Sequence, residues 1–233
     1  MNDVVVMEQG SGGATKPNIQ PNETIEKIKV AARLYWDYFV TYLKSPSNVI
    51  EREEKNAMNG IVTIVIMAIF IGLSFFTLLK RMAFSFLAYS YEPSFFSVIG
   101  SSILSIFIIT AIVIGSLFLT VKFLGPDHSL TSLVGIYGTH LIPSTFLALI
   151  ALLLLVIKAY VFGNFLLSFA LLLAFLVVPL FILTKLVKQE ALTLDPLYCV
   201  IVYVVIFGIA FSIFLMFLGD SMTGGIISQL DAF

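Results

Sequence analysis

His140 is the one histidine that lies inside a long apolar stretch of this sequence, and no Asp, Glu, Lys or Arg accompanies it there. Ionisable groups are costly in hydrocarbon and mark transport paths, so this imidazole could carry a proton or bind a ligand. Alternatively, it is neutral and hydrogen-bonds a carbonyl freed by Pro143, which has no N–H to donate. We favour the second hypothesis, a neutral histidine with a structural role, because the apolar stretches hold no second ionisable group to pass a proton onward. Tyr137, His140 and Pro143 remain candidate functional residues.

A second polar cluster, Asp127 with His128, follows Gly125-Pro126 and precedes Ser129. The pair could form an acid–base cluster and is kept as a candidate. The composition is more typical of a turn between two helices, in which Asp127 or Ser129 caps the next helix.

The chain lacks the residue patterns of the common enzymes. One cysteine, Cys199, and two histidines can form neither an intrachain disulfide nor a zinc site of four Cys and His ligands. Gly-x-Ser-x-Gly, His-Glu-x-x-His and glycine-rich phosphate loops are absent from the sequence. Glu53-Glu54 resembles the paired glutamates of intramembrane prenyl-peptidase-like proteins, but the Arg expected within a turn is missing. We therefore predict a protein that is not an enzyme and needs no cofactor or metal.

The composition is that of an integral membrane protein. Of 233 residues, 59% are hydrophobic and 12% charged, with a mean hydropathy of +1.04. Soluble domains average about 45–50% apolar and about 25% charged residues. The net charge of −1 argues against a nucleic-acid partner, which would require a basic surface. The expected environment is a lipid bilayer.

Five apolar stretches, each close to or above the roughly 20 residues that a membrane-spanning helix needs, follow residue 58. They cover about 59–79, 96–121, 132–157, 163–184 and 197–218. The sequence thus predicts an all-α, polytopic bundle of five transmembrane helices over 59–218, with bends at Pro143 and Pro179. Before it we predict a disordered tail at 1–22 and a cytoplasmic helical segment at 23–58, whose charged part begins after Ser45-Pro46. A short external tail at 219–233 follows, with Asp220 at a helix end.

The segment 23–44 is predicted to form one amphipathic helix. Apolar residues recur at steps of three and four, and five of the eight residues from Tyr35 to Tyr42 are aromatic. Such a helix can lie on the membrane surface, or its apolar stripe can pack on the protein's own helices; both remain open. The candidate interfacial or docking residues are Arg33, Tyr35, Trp36, Phe39 and Tyr42.

The distribution of Lys and Arg predicts the orientation. With the N-terminus in the cytoplasm, six basic residues near the membrane lie inside and three outside, as the positive-inside rule requires. The inside residues are Lys44, Arg52, Lys55, Lys122, Lys185 and Lys188, and the outside residues are Lys80, Arg81 and Lys158. The C-terminus is then external.

Small residues at four-residue spacing predict close helix packing, either within one chain or between copies. These residues are Ala68 and Gly72, then Ser97, Ser101 and Ser105, and finally Gly208 and Ser212.

Two segments resemble the Yip-type (Ypt/Rab-interacting) membrane proteins. The segment Tyr38-Phe39-Val40-Thr41-Tyr42-Leu43-Lys44-Ser45-Pro46 is similar to the family's aromatic–Leu–Lys–x–Pro approach to the membrane. Gly135-Ile136-Tyr137-Gly138, followed by Pro143, is similar to the opening of its third helix. The resemblance covers about 23–220 and is strongest for a Gram-positive bacterial branch that often begins with a zinc ribbon; no Cys-x-x-Cys precedes the helix here. It implies five membrane helices, a cytoplasmic N-terminus and an accessory role in the bacterial cell membrane.

Together these features favour a non-enzymatic membrane scaffold or an accessory subunit of a larger membrane complex, such as an exporter or an envelope-stress system. A membrane-protein partner or a homo-oligomer is expected. The alternative is a small transporter or channel that uses His140 and the proline-bent third and fourth helices.

Overall fold

The computed structural model describes residues 23–44, 57–86, 94–124, 128–187 and 196–230, which are almost entirely helical. The helices are α1 (Glu23–Lys44), α2 (Ala57–Phe86), α3 (Phe95–Leu124), α4 (Leu130–His140), α5 (Ile142–Val156), α6 (Tyr160–Leu172), α7 (Val178–Val187) and α8 (Pro196–Leu230). A π-helical segment, Leu173–Val177, joins α6 to α7. The predictions for the tail 1–22, the charged segment 45–56 and Asp127 lie outside the described residues, as does the side chain of Asp220.

The chain divides into two units, Met1–Tyr38 and Phe39–Phe233. The described part of the first unit is a single helix, residues 23–38 of α1. The second unit contains the last residues of α1 and all of α2 to α8. The predicted bounds of the first helix, 23–44, agree with the structure.

Four helical segments are long and apolar enough to cross a membrane: Ala57–Arg81, Phe95–Leu124, Tyr160–Val187 and Leu197–Gly219. The pair α4 and α5 passes the same criterion when taken together, with a bend of 43° between its halves. Four of the five predicted apolar stretches therefore each correspond to one membrane-length segment, and the third, 132–157, corresponds to the bent pair. The described residues contain four such segments, or five if the bent pair is a single one.

The core of the second unit lies where α2 meets α3, α4 and α5, while α5 and α6 form an antiparallel pair and α8 packs mainly on α3. Buried side chains such as Met67, Leu117 and Tyr137 fill this region. The α8 segment differs from the others, because only 6% of its most apolar window is buried, against 39% in the three other long segments.

Glycine allows α2 and α4 to touch along their backbones. A Cβ atom added to Gly138 would overlap the backbone of Gly60. A Cβ atom added to Gly60 would in turn lie 2.9 Å from the carbonyl oxygen of Gly135. Because lipid provides little hydrophobic drive for helices to associate, such backbone contact is a main source of packing energy in a membrane.

Many buried or partly buried hydroxyls hydrogen-bond the carbonyl one turn earlier on their own helix. Examples are Thr63 to Asn59, Ser74 to Phe70, Thr120 to Ser116, Thr139 to Gly135 and Thr145 to Leu141, at 2.7–3.0 Å. This arrangement satisfies the hydroxyl without help from a neighbouring helix. Buried polar groups that do not follow this own-helix pattern are therefore candidates for a functional role.

Candidate functional site

The break between α4 and α5 organises the candidate site. Ser129 caps α4, and its side chain accepts a hydrogen bond of 3.1 Å from the Ser132 amide, as one of the two predicted caps should. The helix ends at His140, and α5 begins at Ile142 with Pro143 in its first turn. Proline costs little at that position, because the amide it removes would have no partner within the helix. The bend predicted at Pro143 is therefore realised as a helix break just before it.

His140 lies inside the protein at this break and is 3% exposed. Its Nδ1 atom is 2.7 Å from the carbonyl oxygen of Ile136. A carbonyl can only accept, so Nδ1 carries the proton and Nε2 of the neutral ring is an acceptor. Nε2 is buried and has no hydrogen-bond partner among the described residues. The hypothesis that His140 bonds a carbonyl group freed by Pro143 is therefore wrong about the partner. Pro143 would free the carbonyl group of Thr139, four residues earlier, whereas His140 bonds the carbonyl group of Ile136.

Two aromatic rings enclose the imidazole. The ring of Tyr42, near the end of α1, meets it edge-on, with centroids 5.6 Å apart and planes at 83°. The ring of Phe181, in α7, lies 5.7 Å away at 45°. The sequence had singled out Tyr42 as a docking residue but had not placed it beside His140. It had missed Phe181, since one Phe among 22 carries no local signal.

Ser144 is a second unsatisfied polar group in this region. It lies in the first turn of α5, fully buried, and its Oγ has no hydrogen-bond partner among the described residues. The two unsatisfied atoms, His140 Nε2 and Ser144 Oγ, thus flank the break on the two sides of Leu141. Buried polar atoms without partners are rare in folded proteins.

Tyr137 is fully buried, and its hydroxyl donates a 3.1 Å hydrogen bond to the carbonyl oxygen of Ala174 in the π-helical segment. In that segment the Val178 amide bonds Leu173, five residues earlier. The next bond of the series would run from residue 179 to Ala174, but residue 179 is proline. Tyr137 therefore supplies the donor that Pro179 lacks.

The candidate docking residues lie on α1. Within the first unit, Tyr35 and Tyr38 are in ring contact at 6.1 Å, Arg33 is exposed and Trp36 is 63% exposed. In the second unit, Phe39 packs against Phe146 of α5 at 6.5 Å. The end of α1 is thus attached to the helices on both sides of the break, through Tyr42 and Phe39.

Of the small residues predicted to pack helices together, one pair lies at a contact between two helices of this chain and the other two groups are mostly exposed. Ala68 is buried, and Gly72 of α2 faces α3, where an added Cβ would be 3.6 Å from the Ile99 carbonyl oxygen and from Cβ of Ser102. Ser97 and Ser101 are exposed and Ser105 is half-buried, so that row is not a buried interface of this chain. Gly208 and Ser212 of α8 are also exposed.

His128 is half-buried beside the start of α4, away from the break. Across 57–86, 94–124, 128–187 and 196–219 the chain contains no Asp or Glu, and the described residues form no group of three potential metal ligands. Within these ranges the site therefore offers a hydrogen-bond acceptor, Nε2 of His140, in an aromatic enclosure that includes no carboxylate.

A family model described as "Domain of unknown function (DUF6574)" matches residues 26–224. No curated protein and no solved structure matches.

Proposed function

The chain belongs to the DUF6574 family, and we propose that it is a non-enzymatic membrane scaffold or an accessory subunit of a larger membrane complex. In this proposal the protein resides in a bacterial cytoplasmic membrane, and the bent pair α4–α5 counts as one span. Five spans would put the two termini on opposite sides of the membrane, and the bias of Lys and Arg supports a cytoplasmic N-terminus and an external C-terminus. We also propose, as part of this function, that the chain is related to the Yip-type membrane proteins that its sequence resembles.

The attachment of the end of α1 at the helix break is the observation that carries this proposal. Tyr42 and Phe39 fix that end against His140 and Phe146, while Trp36 exposes most of its surface three residues earlier. Exposed aromatic residues on an amphipathic helix are suited to a partner or to the membrane surface. In this proposal α1 is the cytoplasmic docking element, and it binds a membrane-protein partner or a second copy of this chain.

Site-specific photo-crosslinking tests this role. We place p-benzoylphenylalanine at Trp36 in one variant and at Leu34 in another, expressed at native level and purified in mild detergent. Leu34 is a matched control because it is 65% exposed, close to the 63% of Trp36. Two residues correspond to about 200° around a helix, so the two probes face different sides. We expect one stoichiometric crosslinked partner from position 36 and little from position 34. A particle without crosslinks at either position would refute the docking role.

A second candidate function is a small transporter or channel, and the unsatisfied Nε2 of His140 is the observation in its favour. A buried acceptor without a donor suits a passing solute or water better than it suits a stable core. Against it, many hydroxyl groups of the core bond the carbonyls of their own helices, so they have no donor left for a passing solute.

Proteoliposome flux measurements separate the two functions. Solute or proton flux that His140→Ala abolishes and His128→Ala preserves would favour transport. His128 is the matched control because it is the only other histidine and lies outside the break. Under the scaffold proposal, neither variant nor the parent protein conducts above empty liposomes.

A further inference from the structure

Arg81 and Tyr160 bring together the end of a membrane-length segment of α2 and the start of α6. The guanidinium carbon of Arg81 lies 3.8 Å from the centroid of the Tyr160 ring. A guanidinium stacked on an aromatic face uses its plane and keeps its N–H edge available for a planar or tetrahedral anion. Arg81 forms no ion pair with any described residue. Its charge is therefore held in place without being neutralised by any residue that the structure describes.

Lys158 lies in the turn that precedes Tyr160 and has an unusual backbone conformation. Its φ of 67° is in the left-handed region, and it is the only described residue other than glycine with a positive φ. The Lys158 amide bonds Leu155 at 3.1 Å and the Ala159 amide bonds Leu154 at 2.8 Å. This pattern is a Schellman motif, which normally has glycine at the position of Lys158. The fold thus keeps an exposed cation where glycine would be less strained.

The local electrostatics favour a negative ligand. Lys158 is two residues from Tyr160, so their backbones lie no more than about 7 Å apart. Lys80, beside Arg81, adds a further exposed cation, and 57–81 and 128–187 contain no acidic residue. α6 also begins without a side-chain cap, which leaves its first amides available to an acceptor. This corner combines Arg81 and Lys158 with a half-buried tyrosine, and Lys80 adjoins it in the sequence.

We propose that Arg81, Lys158 and Tyr160 form a binding site for the phosphate headgroup of an anionic phospholipid. The guanidinium edge and the lysine ammonium contact the phosphate, and the tyrosine ring keeps the guanidinium in place at the membrane surface. The site lies at the end of the bundle where α2 and α6 meet, and it is independent of the docking role of α1.

Lipid-quenching fluorescence tests the site. Trp36 is the only tryptophan, so Trp36→Phe with Tyr160→Trp places one fluorophore under Arg81 and retains the cation–π contact. The protein is reconstituted into phosphatidylcholine vesicles that contain either brominated phosphatidylglycerol or brominated phosphatidylcholine. The ratio of the two quenching constants measures the preference for the anionic lipid. We expect a preference of about fivefold or more, since each basic residue near a membrane surface contributes about that factor.

Lys158→Gly is the decisive variant. It removes the charge and relieves the positive φ, so thermal stability should be unchanged or higher while the preference falls about fivefold. Arg81→Gln should lower the preference for the anionic lipid by a similar factor. Lys122→Gln should leave this preference unchanged, because Lys122 lies at the opposite end of α3 from Phe95. Equal quenching by both lipids in the starting protein would overturn the proposal. So would a preference that survives Lys158→Gly, or one that Lys122→Gln reduces equally, because general surface charge would then explain it.

Discussion

The Tyr137 hydroxyl donates a 3.1 Å hydrogen bond to the Ala174 carbonyl oxygen, across the contact between α4 and the π-helical segment before α7. This carbonyl needs an outside donor because Pro179 occupies the position whose amide would continue the i→i+5 bonds. π-Helical turns inside longer helices occur frequently at functional sites. Here a side chain from one half of the bent pair completes the backbone hydrogen bonding of a neighbouring long helix.

Tyr137→Phe should lower the free energy of unfolding by about 0.5–2 kcal/mol, because it leaves the Ala174 carbonyl buried without a donor. The measurement is unfolding by SDS titration in mixed micelles. Tyr203→Phe is the matched control, since that hydroxyl is also buried but has no partner among the described residues. We expect the control to be neutral or slightly stabilising. Equal losses in both variants would show that the Ala174 bond contributes nothing specific.

Pro179→Ala should reduce the cost of Tyr137→Phe by at least half. Alanine restores an amide that can bond Ala174 or Phe175, so the tyrosine hydroxyl becomes dispensable. A double-mutant cycle in the same SDS titration measures this coupling. An unchanged cost of Tyr137→Phe in the Pro179→Ala background would contradict the assignment of the freed carbonyl to proline.

Gly138→Ala should destabilise the protein by about 1–3 kcal/mol or more, because the added methyl group overlaps the backbone of Gly60 and forces α2 and α4 apart. Gly208→Ala is the matched control on α8, where an added Cβ meets nothing within 4 Å. The control should be neutral or stabilising, since alanine is the better helix former. Thermal unfolding in detergent compares the two, and similar midpoints would refute the close approach.

Tyr42→Ala should release the end of α1 from the helix break. Tyr42 is 3% exposed and its ring meets that of His140, so truncation removes buried contacts and opens space beside the imidazole. We expect faster trypsin cleavage after Lys44 and lower stability by about 2 kcal/mol or more. Leu43→Ala, at a position 46% exposed, is the neighbouring control and should change neither quantity measurably. Identical cleavage rates in the two variants would argue against attachment through Tyr42.

Several elements of the fold could be predicted from the sequence because they depend on local patterns. The periodicity over 23–44 predicted α1 with its observed bounds, and the long apolar stretches predicted the membrane-length helices. Ser129 was one of two residues expected to cap α4, and it does so. In each case the physical cause lies within one helix, so residue spacing is sufficient to predict it.

The contacts of the candidate site could not be predicted in the same way. His140 was identified as the one histidine inside an apolar stretch and Tyr137 from the segment that leads to Pro143, but the rings around His140 and the acceptor of the Tyr137 hydroxyl belong to other helices. The contact of Phe181 with His140 and the bond of Tyr137 to Ala174 depend on the register between α4 and the segment around α7. The spacing of apolar residues does not determine that register. The π-helical turn was missed for a related reason, because proline indicates a disturbed helix without indicating whether it bends or gains a residue.

The shallow packing of α8 has a practical consequence for anyone who isolates this protein. Tyr203 and Cys199 are fully buried, but only 6% of the most apolar window of Leu197–Gly219 is buried against the rest of the described chain, so acyl chains must supply much of its van der Waals contact. Replacing those chains with a short detergent therefore weakens the attachment of this helix before that of any other long segment. Long-chain detergents or nanodiscs are accordingly the media in which the complete bundle should be purified.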